Sequence, residues 1–260
     1  MSRNQIIVLI GTVVFFLILY FGFEIIPPKN KDLEMSRTLN IESTGISNLI
    51  RDAMMKLDAD QKNIIDAVNL DMEKVVNDTL KRIEMIKSLS GMWYDYGFPS
   101  IAGTYAEDIA NLSGTEDSWS MAGTTFTLCV RSTEEKKIKD YCSKRAIRAF
   151  ENAISIAPEN IDHRINLAGC FVDNPSENNP MQGILMLRDL NAKYPDNIPV
   201  LQQLARLSLR TNQTDKAIER LEAAIKIDPA NQITICLLAT AYKNIGNNSK
   251  ASEYEKKCVN

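Results

Sequence analysis

The sequence predicts an all-α protein: an apolar N-terminal helix, a helical stalk, then an array of about four to five antiparallel helix pairs. Three observations carry this. Pro158, Pro195 and Pro229 stand 37 and 34 residues apart, and each closes an apolar segment of similar pattern: AIRAFENAISIAP, GILMLRDLNAKYP and AIERLEAAIKIDP. Over residues 46–92 there is no proline, and no glycine before Gly91, while apolar residues recur at gaps of three and four, the period of one helix face. Residues 6–23 carry no charged side chain.

With Glu24, Ile25 and Ile26, the apolar run reaches about 21 residues, roughly 31 Å of helix, close to the hydrocarbon thickness of a bilayer. A helix is how a single segment satisfies its backbone there. Tyr20 and the Pro27-Pro28 pair suit the far interface and the helix end. The run is longer than the apolar core of a cleaved signal peptide, and no small-x-small site follows it. Residues 1–28 are therefore expected to be a transmembrane anchor that meets the membrane through residues 6–26. Arg3 and the free amine on one flank oppose Lys29, Lys31 and Arg37 on the other. The expected location is a bacterial inner membrane, crossed once, with the soluble domain outside the cytoplasm.

Residues 29–45 are polar and read as a linker ending in Ser43, Thr44 and Gly45. Residues 46–92 read as an amphipathic helical stalk. Its stripe includes Leu49, Ala53, Leu57, Ile65, Val68, Met72, Val76, Leu80, Ile83, Ile86 and Leu89, with acids and lysines on other faces. Two readings stay open: one or two helices that fold back onto the C-terminal helix pairs, or a coiled coil that joins two copies into a homodimer or spaces the protein from the bilayer. The heptad falters between Asp60 and Asn63.

The repeats occupy residues 93–260. Twelve, eight and five places before each proline stand Ala146, Phe150 and Ala153; Gly183, Leu187 and Leu190; and Ala217, Leu221 and Ala224. A small side chain in the first of these columns lets two antiparallel helices approach closely. Upstream lies a second pattern: Trp119, Ala122, Gly123 and Phe126; then Leu167, Ala168 and Phe171; then Leu201, Leu204 and Ala205; then Ile235, Leu238, Ala239 and Tyr242. These columns resemble the tetratricopeptide repeat (TPR), a helix–turn–helix unit of about 34 residues. The resemblance covers about residues 116–260 in four units, and residues 198–231 match the repeat length without gaps. The first unit carries an insertion within STEEKKIKDYC, read as a charged loop, and the second carries extra residues in NPSENNP. A degenerate unit precedes them near residues 90–113, with its turn at Gly97-Phe98-Pro99.

The resemblance implies a TPR-type α-solenoid whose first helices line a groove that holds an extended peptide or a helix. Carried over by position, the groove residues are Asn166, Gln202, Gln203, Arg206, Arg210, Lys243 and Asn244, with Asp117, Ser120, Thr124, Asp162, Asp173 and Thr240 at further positions. The family's clamp for a terminal carboxylate matches here only at Asn166. The implied function is a membrane-anchored scaffold for protein–protein interaction. The alternative is an accessory of envelope secretion, chaperoning or cytochrome c maturation that presents client polypeptides.

Other functions find little support. A net charge of −3 offers no basic face for nucleic acid, so the expected partner is a protein or peptide. No enzyme, cofactor or metal site is expected: glycine never falls in a phosphate-loop order, His163 is the single histidine, and no C-x-x-C pair occurs. Most of the five cysteines read as small buried apolar residues. Cys129 and Cys142 flank the inserted segment at facing ends of two helices, and they are a candidate disulfide if their Cα atoms lie within about 7 Å.

Overall fold

The computed structural model describes residues 45–258. The chain divides into two compact units, residues 1–48 and residues 49–260, and the repeats belong to the second. Helices account for all regular structure among the described residues, and no strand is present among them. The helices are α1 (Ile46–Met54), α2 (Ala59–Lys74), α3 (Thr79–Asp95), α4 (Pro99–Ser113), α5 (Glu116–Ser132), α6 (Lys136–Ile156), α7 (Ile161–Asp173), α8 (Gln182–Lys193), α9 (Ile198–Arg210), α10 (Thr214–Ile227), α11 (Gln232–Asn244) and α12 (Asn248–Lys257). From α3 onward they pair as consecutive hairpins, each packed on the next, which is the all-α, TPR-like solenoid the sequence predicts.

The joints between hairpins show how local chemistry sets the repeat. Ala157, Tyr194 and Asp228 each precede a proline, and each leaves the helical region at nearly the same angles, φ −128, −132 and −134°. The proline ring excludes helical geometry at the residue before it. Two residues after each proline stands an asparagine, and each caps the next first helix. Asn197 accepts from the Val200 N–H and Asn231 from the Thr234 N–H, both at 3.0 Å, and Asn160 accepts from the Asp162 N–H at 3.1 Å. Pro-x-Asn is thus a stop and a start in three residues.

The core lies between hairpins. Phe126, Cys129, Cys142, Ala146, Phe150, Leu167 and Cys170 join α5, α6 and α7. Ala168, Leu187, Leu190, Val200 and Leu204 join α7, α8 and α9. Ala205, Ala217, Leu221, Leu238, Tyr242 and Ala251 join α9 to α12. The small column works as its position implies: a Cβ on Gly183 would run into the Ala168 carbonyl and Val172, and one on Gly123 would sit 2.8 Å from the Phe150 ring. These close approaches fix each hairpin's width.

Three expectations change. The segment Ser132 to Tyr141 is not a loop. Thr133, Glu134 and Glu135 make the turn, and the rest is the first turns of α6. It has no glycine or proline, and Ile138 and Tyr141 pack on the core, so the insertion lengthens a helix. The stretch over residues 46–92 is three helices, and the 92/93 boundary falls inside α3. Asp58 and Asp78 accept from the N–H of Gln61 and Lys81 and start new helices there. No continuous rod of stalk length forms; of its stripe Ala53, Leu57, Ile65, Ile86 and Leu89 are buried, whereas Val76 and Leu80 are exposed.

The membrane location is also corrected. No helix among the described residues is long and apolar enough to cross a membrane. Apart from α6 the described helices have at most 17 residues, about 26 Å and short of the hydrocarbon core. The 21-residue α6 carries Lys136, Lys137, Lys139, Asp140, Lys144, Arg145, Arg148 and Glu151, whose desolvation the bilayer would oppose. Residues 6–26, where the span was expected, lie outside the described residues.

Candidate functional site

The first helices of successive hairpins, α5, α7, α9 and α11, lie side by side, and their exposed faces form a groove of about 690 Å³. Its wall is set by helical spacing. On α5, Thr124, Leu128 and Arg131 follow one another at gaps of four and three. On α7, Asn166, Gly169 and Asp173 do the same at three and four, and on α9 Gln203, Arg206 and Arg210 again. Val172, Leu207 and Leu237 supply apolar floor. A smaller recess of about 110 Å³ opens between Thr127, Asn166 and Gln203. Beyond Arg131 a further cavity of about 450 Å³ lies against Tyr94, Gly97, Pro99 and Leu128. Arg131 borders all three.

Charge is concentrated at the centre. Both oxygens of Asp173 accept from arginines: Arg131 Nε donates to Oδ2 at 2.7 Å, and Arg210 Nη1 donates to Oδ1 at 3.1 Å. Asp173 is 13% exposed at its side chain, while the two arginines are more than half exposed. Arg206 projects beside them. Its partial desolvation in the groove, and then the nearby Arg131 charge, push its guanidinium below the ordinary arginine range. Among the described residues Arg206 makes no ion pair, and the side-chain amides of Asn166 and Gln203 make no hydrogen bond.

The positions expected in the groove therefore divide. Gln203, Arg206 and Arg210 line it, and Asn166 lines the smaller recess beside it. Gln202 does not: it is buried, and its Nε2 donates to Asn231 Oδ1 at 2.7 Å and Thr234 Oγ1 at 2.8 Å. It ties the α9 face to the cap of the next unit. Lys243 turns to α12 and pairs with Glu255 at 3.6 Å, and Asn244 lies exposed at the end of α11; neither borders the cavities. Arg131, Lys139 and Leu237 were not anticipated. For Arg131 the signal was available, since it stands seven residues after Thr124 on one helix face. Lys139 was hidden by reading its segment as a loop.

The thiols and the histidine have structural places. Cys129 and Cys142 are disulfide-bonded across α5 and α6, with Cα atoms 6.1 Å apart, and Cys236 and Cys258 are bonded across α11 and α12 at 5.0 Å. The second bridge was missed: Cys236 sits near the start of α11 and Cys258 just past the end of α12, ends that meet only once the hairpin is formed. Cys170 is a buried thiol, pushed up to about 11 by burial. His163 is buried with Nε2 2.7 Å from Glu116 Oε1. Hydrogen bonds from Asn160 and then His163 hold the Glu116 carboxyl below its ordinary range.

Residues 176–233 match the family model described as tetratricopeptide repeat. That segment carries tetratricopeptide repeat sequence. The match runs from the α7–α8 connection to the start of α11 and so includes the α9 wall of the groove. No curated protein matches the chain. Among solved structures, MamA (residues 41 to the end) from Desulfovibrio magneticus RS-1 is 15% identical over 70% of this chain and 94% of its own, with a TM-score of 0.41. The thermophilic TPR protein TTC0263 of Thermus thermophilus is 16% identical over 68% of this chain and 89% of its own, at 0.49. YrrB, described as a TPR protein with an unusual peptide-binding site, is 16% identical over 72% of this chain and 90% of its own, at 0.37.

Proposed function

We propose that the chain is a protein-interaction scaffold that holds a segment of a partner protein along the face formed by α5, α7, α9 and α11. The observation that carries this is the groove itself: about 690 Å³ of open volume over apolar side chains, bordered by the uncommitted amide of Gln203 and the uncommitted guanidinium of Arg206, with the uncommitted amide of Asn166 in the adjoining recess. Buried polar groups are normally paired. Polar groups left unpaired at the edge of an apolar floor are suited to a peptide backbone, which supplies a donor and an acceptor at each residue. The repeats supply rigid walls for such a segment, because each first helix is held by its own second helix and by the next hairpin.

A photo-cross-linking residue placed at Gln203, compared with one at Glu219 on the exposed side of α10, tests the reading. Partner protein attached from position 203 and absent from position 219 supports it. Equal attachment, or attachment from 219 alone, contradicts it.

A further inference from the structure

Resting on that groove reading, the central arginines define what kind of segment it takes. Arg131 and Arg210 converge from α5 and α9 on a single carboxylate, Asp173, with Arg206 and Lys139 on the same border. Asp173 has both oxygens committed. Arg131 and Arg210 stand in the last turns of their helices, where a cation also complements the helix dipole. Arg206, a turn before the end of α9, is the arginine left without an ion pair among the described residues. Among those residues no carboxylate besides Asp173 borders this groove. Guanidinium groups bind carboxylates through paired, charge-assisted hydrogen bonds that neutral groups do not reproduce. To either side the lining turns apolar: Tyr94, Pro99 and Leu128 beyond Arg131, and Leu207 and Leu237 beyond Arg206.

We infer that the groove takes an extended acidic segment of a partner protein, with an aspartate or glutamate on Arg206 and an apolar side chain on the Tyr94–Pro99–Leu128 surface. The arginines are not at the positions of the family's terminal-carboxylate clamp, so an acid within a chain serves as well as a chain end. The occupied length follows from the helices. Neighbouring helices pack about 10 Å apart, so α5 to α11 spans about 30 Å, or about nine extended residues. Asp173 holds Arg131 and Arg210, so the ligand meets Arg206 free and competes with Asp173 for the other two.

The test is selection of a displayed library of random peptides, about nine residues long, on the immobilised full chain. Enriched peptides are then resynthesised with Glu and Asp replaced by Gln and Asn. Expected are acidic sequences with a neighbouring apolar residue that bind about tenfold or more tighter than their amide counterparts. Arg206→Glu should remove that preference, Arg206→Lys should keep part of it, and Asp173→Asn should strengthen binding by freeing two arginines. Circular dichroism of each variant confirms the fold. Enriched peptides without acidic bias, whose binding is nevertheless lost on Gln203→Lys, would overturn the acidic class while leaving the groove reading intact. Acidic peptides indifferent to both Arg206→Glu and Gln203→Lys would overturn both. A library that yields no enrichment overturns the acidic class, and the groove reading is then decided by the cross-linking comparison.

Discussion

Gly246 and Asn212 occupy the same place in consecutive units, 34 residues apart, and both have positive φ, 72° and 56°. Asparagine tolerates the left-handed region better than other side chains, and glycine enters it without cost. Nothing lies within 4 Å of where a Cβ on Gly246 would stand, so Gly246→Ala meets only backbone strain. It should cost about 1 kcal/mol in urea unfolding, and Asn212→Gly should change stability far less. Glu116 gives a pH dependence. Its carboxyl is lowered in the folded state by Asn160 and His163, so folding favours the ionised form. That stabilisation is complete above the ordinary glutamate range and is lost as pH falls through the folded-state value. Glu116→Gln should therefore be less stable than the parent at neutral pH, with the gap closing in acid; a gap that persists or widens in acid would contradict this. Asn166, Gln203, Arg206 and Arg210 were placed by the resemblance to the repeat, position by position, and within α9 helical spacing puts Gln203, Arg206 and Arg210 on one face. Gln202 was not, since its direction is decided by Asn231 and Thr234 of the next unit.

Helices were legible wherever proline and apolar spacing agreed, as before Pro158, Pro195 and Pro229; the asparagine caps that follow each proline emerge only in the structure. They were misread where one signal spoke alone. Charge suggested a loop at Glu134 to Asp140, but good helix formers with two apolar contacts made it helix from Lys136 onward. An unbroken apolar stripe suggested a long stalk, but Asp58 and Asp78 caps divided it. The disulfides bind elements at their ends. The bridge between Cys129 and Cys142 closes a separation of 13 residues. Replacing both by alanine should cost about 3 kcal/mol on the loop-entropy account, measured by chemical unfolding. The bridge between Cys236 and Cys258 holds α12, whose buried contact is Ala251 and whose Tyr254 stacks on Tyr242 at 5.8 Å. Cys258→Ala should speed amide exchange across α12 and leave α5 to α9 unchanged. Uniform acceleration, or none, would show that the bridge does not act locally.

Across residues 49–260, stability is a sum over neighbours, because each core cluster joins one hairpin to the next. The repeat order was visible in the sequence because three prolines and two apolar columns recur in step. The charge pattern of the groove was visible only in part, because Arg131, Asp173 and Arg210 come from different units and meet through packing. The most direct test of the central claim is hydrogen exchange of the full chain with and without a peptide enriched in the selection. Slowed exchange confined to the α3–α4 turn, the ends of α5, α7 and α9, the start of α6 and α11 is the predicted result. Slowing on the second helices α8 and α10, or on α2, with the groove unchanged, would contradict the assignment of the binding face.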